Sequence, residues 1–223
     1  MKLSIMLAAT LFSAPALALV GPAEEDSARA GVIVMVLRSG AGGAAFCTGV
    51  VVARDAVLTA AHCVARAETT KIHFREGDRP VLLDVDAIAV HPRYRANAIR
   101  TRERSIDLAL VRLRAPLPSR FSAATIERAP AISVGARFRI AGYGLAQEGR
   151  GVTGGVLRSG VIAARAPLSS ILLWAEDPRK AGLGACTGDS GGPIFSEGGG
   201  VVAITSWTTG DNGKHCEIGR AHV

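Results

Sequence analysis

Aromatic rings are scarce in this chain. Two Trp, two Tyr and six Phe are spread over 223 residues, so few flat side chains are available to stack bases. The 26 basic residues outnumber the 19 acidic ones, for a net charge of +7, but they form no run of five or six. A scattered excess of this kind reads as a solvated surface, and no nucleic-acid partner is expected. Of the 26, 22 are Arg; with abundant Ala and Gly, that bias resembles genomic base composition more than a binding patch. No Cys-x-x-Cys or His-x-x-x-His spacing occurs, so neither a metal nor another cofactor is expected. Long segments of 3.6-residue periodicity are missing, as are internal repeats. Beyond the N-terminus no apolar run approaches the length of a membrane span, and no stable membrane association is expected.

What is present begins with MKLSIMLAATLFSAPALA. Lys2 is a short positive start, Leu3 to Phe12 a largely apolar core, and Ala16-Leu17-Ala18 an A-x-A cleavage site, so residues 1–18 read as a secretory signal. The mature chain is expected to be soluble and secreted or periplasmic, from a bacterial source. Cys47, Cys63, Cys186 and Cys216 would then sit where disulfides are the default. Four cysteines allow three pairings.

Short apolar or alternating runs recur at 31–37, 45–53, 56–60, 71–74, 81–90, 107–113, 137–144, 154–164, 170–176, 192–195 and 200–207, with breakers such as RSGAGG, REGDRP and SEGGG between them. Regular short strands argue for an all-β barrel or sandwich. The stretch 114–131 has three prolines and no clean period, and reads as a linker between two halves of similar size.

One turn stands out. In ACTGDSGGPIF (185–195), Gly188, Gly191 and Gly192 all lie within two residues of Ser190. Glycine permits positive φ and close approach of another chain. The stretch reads either as a polar-tipped turn or as a nucleophile beside free backbone N–H groups. His62, in VLTAAHCVA, follows a strand and neighbours a cysteine; imidazole can accept and return a proton near neutrality. His73 and His91 read as structural, and His215 and His222 as tail. Asp107, in SIDLALVRL, lies in an apolar run where a carboxylate is costly unless paired. It is either an edge residue facing solvent or the group that holds the imidazole's second nitrogen. Asp55, Asp84 and Asp86 are weaker candidates.

TAAHC, DLALV and GDSGGP, in that order, together resemble the chymotrypsin/trypsin-like serine protease family, with AGYG, HPRY and SW as secondary matches. The resemblance covers about residue 19 to Cys216. It implies two antiparallel six-stranded β-barrels with the active site in the cleft between them: barrel one over about 31–114, the linker over about 115–131 and barrel two over about 132–223, forming one peptidase domain from 19 to 223. It implies a serine endopeptidase acting on polypeptides, expected as a monomer, through an acyl-enzyme and a triad of His62, Asp107 and Ser190. The backbone N–H groups of Gly188 and Ser190 would form the oxyanion hole. Two alternatives stand beside it: a non-catalytic binding module on the same fold, and a secreted esterase, since Gly188 to Gly192 also fit G-x-S-x-G.

The resemblance implies further roles. Cleavage after Ala18 would expose Leu19-Val20-Gly21-Pro22, with the Leu19 amine pairing with Asp189 in an activation ion pair; Pro22 departs from the family pattern. Gly184, six residues before the nucleophile, would lie at the base of the primary pocket, with Ser206, Trp207 and Thr208 as its wall, which favours small or medium apolar side chains over Arg or Lys. Cys47–Cys63 and Cys186–Cys216 are the implied disulfides. Only EIGRAHV follows Cys216, too short for a closing strand plus a helix, and the string also reads as the in-frame translation of a common DNA-sequencing adapter. A truncated, non-native terminus and an incomplete second barrel with an open edge are therefore expected.

Overall fold

Period-two burial is plain in some strands, while others are buried on both faces. In Ala109–Leu113 the first, third and fifth residues are buried while Leu110 and Arg112 are exposed, because successive side chains leave a strand on opposite faces. The computed structural model describes residues 19–40, 43–101, 103–128, 131–209, 215–216 and 218–222; the expected signal segment 1–18 lies outside them. Among the described residues there are thirteen strands and one four-residue α-helix, α1 (Ala98–Thr101).

Six strands, β2 (Ile33–Gly40), β3 (Gly43–Ala53), β4 (Ala56–Thr59), β5 (Thr70–Glu76), β6 (Arg79–Val90) and β7 (Ala109–Leu113), close a first antiparallel barrel in the order β2-β3-β4-β7-β6-β5. Val34, Val36, Val51, Val57, Ile72 and Val111 fill it. The second ring takes β8 (Arg137–Gly142), β9 (Arg158–Ala164), β10 (Leu172–Glu176), β11 (Pro193–Phe195), β12 (Val201–Thr209) and β13 (Ile218–His222), with the short β1 (Glu24–Glu25) attached to β9. Phe138, Ile140, Ile162, Leu173 and Ile194 form its core. The chain is all-β, as the strand pattern implied.

The expectation of an open second barrel is corrected. β13 pairs with β10 from Leu172↔His222 to Ala175↔Gly219 and with β12 from Ile204↔His222 to Thr209↔Ile218, and β8 pairs with β9 to complete the ring. The slot is filled because ladder hydrogen bonds come from backbone groups, which every non-proline residue carries. Five residues without a recognisable strand pattern are enough. The all-β architecture also excludes an α/β-hydrolase esterase, which needs a mostly parallel sheet under helices.

A third cluster joins the barrels. Ile33 and Val50 from the first pack with Ala141, Leu157, Phe195, Val201 and Ile204 from the second. The connecting chain is stitched to both, through Ala124 N–H to the Val51 carbonyl (2.8 Å) and Glu127 N–H to the Val201 carbonyl (2.9 Å). Ile140, 1% exposed in the second core, checks this packing: Ile140→Ala is expected to cost about 2–5 kcal/mol. Urea unfolding measures it, and a loss below about 1 kcal/mol would mean the core closes over the missing atoms.

Candidate active site

His62 lies in a 3-10 turn, Ala61–Cys63, directly after β4. β4 pairs with β7 at Thr59↔Ala109, so the residue two before Ala109 and the residue three after Thr59 emerge side by side. Those residues are Asp107 and His62. Asp107 Oδ1 accepts the His62 backbone N–H (2.9 Å), and Oδ2 faces His62 Nδ1 at 2.7 Å. The Cys47–Cys63 disulfide ties the turn to β3.

Asp107 is 7% exposed. Burial alone raises its carboxyl, but the hydrogen bond and charge of His62, with the Ser206 hydroxyl and the His62 backbone N–H, outweigh burial and bring it below the ordinary range. Ser206 Oγ donates to Asp107 Oδ2. Sequence reasoning assigned Ser206 to the pocket wall and missed this contact. The register shift in β12 between Thr205 and Trp207 breaks the alternation that would have foretold where its side chain goes.

Ser190 comes from the second barrel, in the turn closed by Asp189 N–H to Cys186 O (3.0 Å) and Gly192 N–H to Asp189 O (2.9 Å). The glycines here are sterically required. A Cβ on Gly191, at φ +82°, would lie 2.0 Å from Thr59 Oγ1, and one on Gly188, at φ +99°, 2.3 Å from Phe46 Cε2. Ser190 Oγ donates to the Ser206 carbonyl (3.1 Å) rather than to His62. Among the described residues neither Gly188 N–H nor Ser190 N–H has an acceptor within the chain.

His62, Asp107, Gly188, Ser190, Trp207 and Thr208 all line one cleft of about 780 Å³ between the barrels, roomy enough for several residues of an extended peptide. Ser206 lines it too, but Gly184 does not: it borders a separate void of about 10 Å³ with Ile140, Ile162 and Ile194. The second disulfide joins Cys186 to Cys216 at the cleft wall. Cys47, Cys63 and His62 bring potential metal-binding atoms together, but both sulfurs are bonded to each other. The weaker candidates are occupied elsewhere: Asp84 pairs with Lys71 and Asp86 with Arg112 at the surface, and His73 bonds to the Val81 carbonyl. His222, read as tail, is buried in β13 beside Trp207.

Asp189 is fully buried. Its Oδ1 accepts Gly144 N–H and its Oδ2 accepts Cys186 N–H, each at 2.8 Å. Burial nevertheless dominates those bonds and the Arg158 charge, and pushes the carboxyl up to about 7. Arg158 Nη1 also donates to the buried Leu19 carbonyl (2.9 Å), and Val20 bridges to Gly184.

Residues 21–221 match the Trypsin family model. The chain belongs to the trypsin family. Trypsin epsilon of Drosophila erecta is 28% identical over 187 residues, covering 75% of this chain and 70% of that protein. Among solved structures, GrC superposes with a TM-score of 0.72 at 20% identity, over 89% of this chain and 92% of that one. A scabies mite inactivated protease paralogue gives 0.69 at 20% identity, over 91% and 93%. At that identity these structures show the fold alone. Membership identifies a serine-type endopeptidase, and polypeptides as its substrates. The curated relatives named are insect and mouse proteins, which gives no support to the expected bacterial source.

Asp189 sets a pH dependence with a definite sign. Its folded value lies above the ordinary carboxylate value of 3.8, so folding favours the protonated form. That contribution is full below the ordinary value and is lost as pH rises towards about 7. Asp107, shifted down, acts in the opposite sense and only at lower pH. His222, held below its ordinary range by burial, acts in the opposite sense within the same window, so the Asp189 contribution is read as a difference: with the Ala18–Leu19 bond intact, the urea midpoint of Asp189→Asn is expected to rise relative to the wild type between pH 5 and 7.5. An unchanged slope in the variant would mean that the carboxyl is ionised throughout.

Proposed function

We propose that this trypsin-family chain hydrolyses peptide bonds through His62, Asp107 and Ser190. The 2.7 Å contact between His62 Nδ1 and Asp107 Oδ2 carries the reading, because it leaves Nε2 for the cleft that Ser190 shares. Rotation of the Ser190 hydroxyl from the Ser206 carbonyl towards Nε2 readies the attack. Ser190 Oγ adds to the substrate carbonyl as His62 takes its proton; Asp107 orients the ring and stabilises the imidazolium. The oxyanion is held by Gly188 N–H and Ser190 N–H. His62 then protonates the leaving amine, and water repeats the sequence on the acyl-enzyme.

The N-terminal part of the proposal is that cleavage after Ala18 frees the Leu19 amine to pair with Asp189. Leu19 is already buried, and Asp189 sits in a low-dielectric site where an ammonium would be strongly favoured as partner. In the cleft, Trp207 and Thr208 form an apolar wall. The only carboxylates among the described lining residues are Glu103 and Asp107, so small or medium apolar side chains are favoured over Arg and Lys; Asp211 lies outside the described residues. A secreted or periplasmic monomer with one peptidase domain over 19–223 completes the reading.

Ser190→Ala is expected to abolish both peptide hydrolysis and labelling by a peptidyl phosphonate. Retention of hydrolysis in that variant would end the proposal, and an unlabelled, inactive wild-type chain would favour the binding module. Asp107→Asn should leave substrate affinity largely unchanged and lower kcat by about ten-thousandfold, as in comparable triads. A peptide-library profile dominated by Arg would overturn the specificity, and N-terminal sequencing of the exported protein checks Leu19.

A further inference from the structure

Thr48 sits inside β3 with no exposed surface, where the first barrel meets the catalytic turn of the second. A hydroxyl in such a place is costly unless hydrogen-bonded, and this one is used in both senses. It accepts Tyr143 N–H (3.0 Å) and donates to the Gly188 carbonyl (2.8 Å). The same residue's N–H donates to the Ser190 carbonyl (2.8 Å), and its carbonyl accepts the Thr59 hydroxyl (2.8 Å). Three of these four bonds cross between barrels, and two end on the carbonyls of Gly188 and Ser190.

The Gly188 N–H lies in the Thr187–Gly188 peptide plane, and the plane that follows it limits how far the first can rock. In the first, the Thr187 carbonyl accepts Leu145 N–H (2.8 Å); because the peptide is planar, this aims the attached Gly188 N–H the opposite way. The second plane, from Gly188 to Asp189, could still turn, since glycine has no side chain to restrict it. The Thr48 hydroxyl holds that plane by its oxygen. With it fixed, the φ of +99° at Gly188 is defined from both sides.

We propose that the Thr48 hydroxyl is a positioning residue for the reaction, a strut from the first barrel that sets the angle of the Gly188 N–H towards the developing oxyanion. This rests on the proposed triad mechanism. Thr48 touches no reacting atom; it acts through the glycine.

Thr48→Val removes the hydroxyl at nearly constant volume, and Thr48→Ser keeps it. At equal concentrations of titrated active sites, Thr48→Val is expected to lower kcat about tenfold, a fraction of the roughly hundred- to thousandfold lost with a whole donor. KM should stay within about twofold, because the donor acts mainly in the transition state. Affinity for a peptidyl boronate, whose tetrahedral oxygen needs the same donors, should fall by the same factor as kcat, and Thr48→Ser should restore both. A merely structural role would lower the unfolding midpoint and the fraction of active sites without moving these normalised values. Unchanged kcat and boronate affinity in Thr48→Val, or a Thr48→Ser as impaired as Thr48→Val, overturns the inference. If Thr48→Val does not fold, Thr48→Ala carries the same test with the same expected loss. An active wild type with an insensitive Thr48 variant defeats the strut alone; a wild type that neither turns over nor takes a phosphonate defeats the triad reading and the strut with it.

Discussion

Asp107 is a carboxylate withdrawn from water, and the site is arranged around the need to satisfy it. An unpaired buried carboxylate would take up a proton or destabilise its surroundings. Here three donors converge on two oxygens: the His62 backbone, the His62 ring and the Ser206 hydroxyl. Two come from the first barrel and one from the second. The carboxylate therefore orients the imidazole and also requires both barrels to be present and in register.

The opposite solution appears at Asp189. Two backbone N–H groups reach it, and Arg158 contributes charge, yet burial prevails. Two aspartates in one fold thus shift in opposite directions for one physical reason. Asp107 has an ionisable ring in direct contact, whereas Asp189 has only dipoles in contact. A site that can hold two ionisation states near neutrality suits a control point, and a site that holds one suits a constant part of the machinery.

Much of this was legible in the residues. The eleven apolar runs each became a strand: Ala109–Leu113 shows period-two burial, whereas Arg158–Ala164 is buried almost throughout and is legible as an apolar run between breakers. His62, Asp107 and Ser190 could be singled out because each is a chemical anomaly in its surroundings. Closure of the second barrel was not legible: a strand held by backbone pairing leaves little side-chain signature, and Ile218–His222 has no alternation to read. The links from Ser206 to Asp107 and from Thr48 to Gly188 join residues 99 and 140 positions apart, which no local pattern encodes.

The apolar seam of Ile33, Val50, Phe195 and Ile204 has a thermodynamic consequence. Neither barrel can open without exposing its half of that seam to water. The loss is proportional to the apolar area uncovered, and it destabilises the partner at the same moment. The two rings, though each closes its own sheet, therefore behave as one cooperative unit. Heat or denaturant should find no state in which one half stays folded and the other is lost, so the molecule holds its His62 and Ser190 halves together or loses both at once.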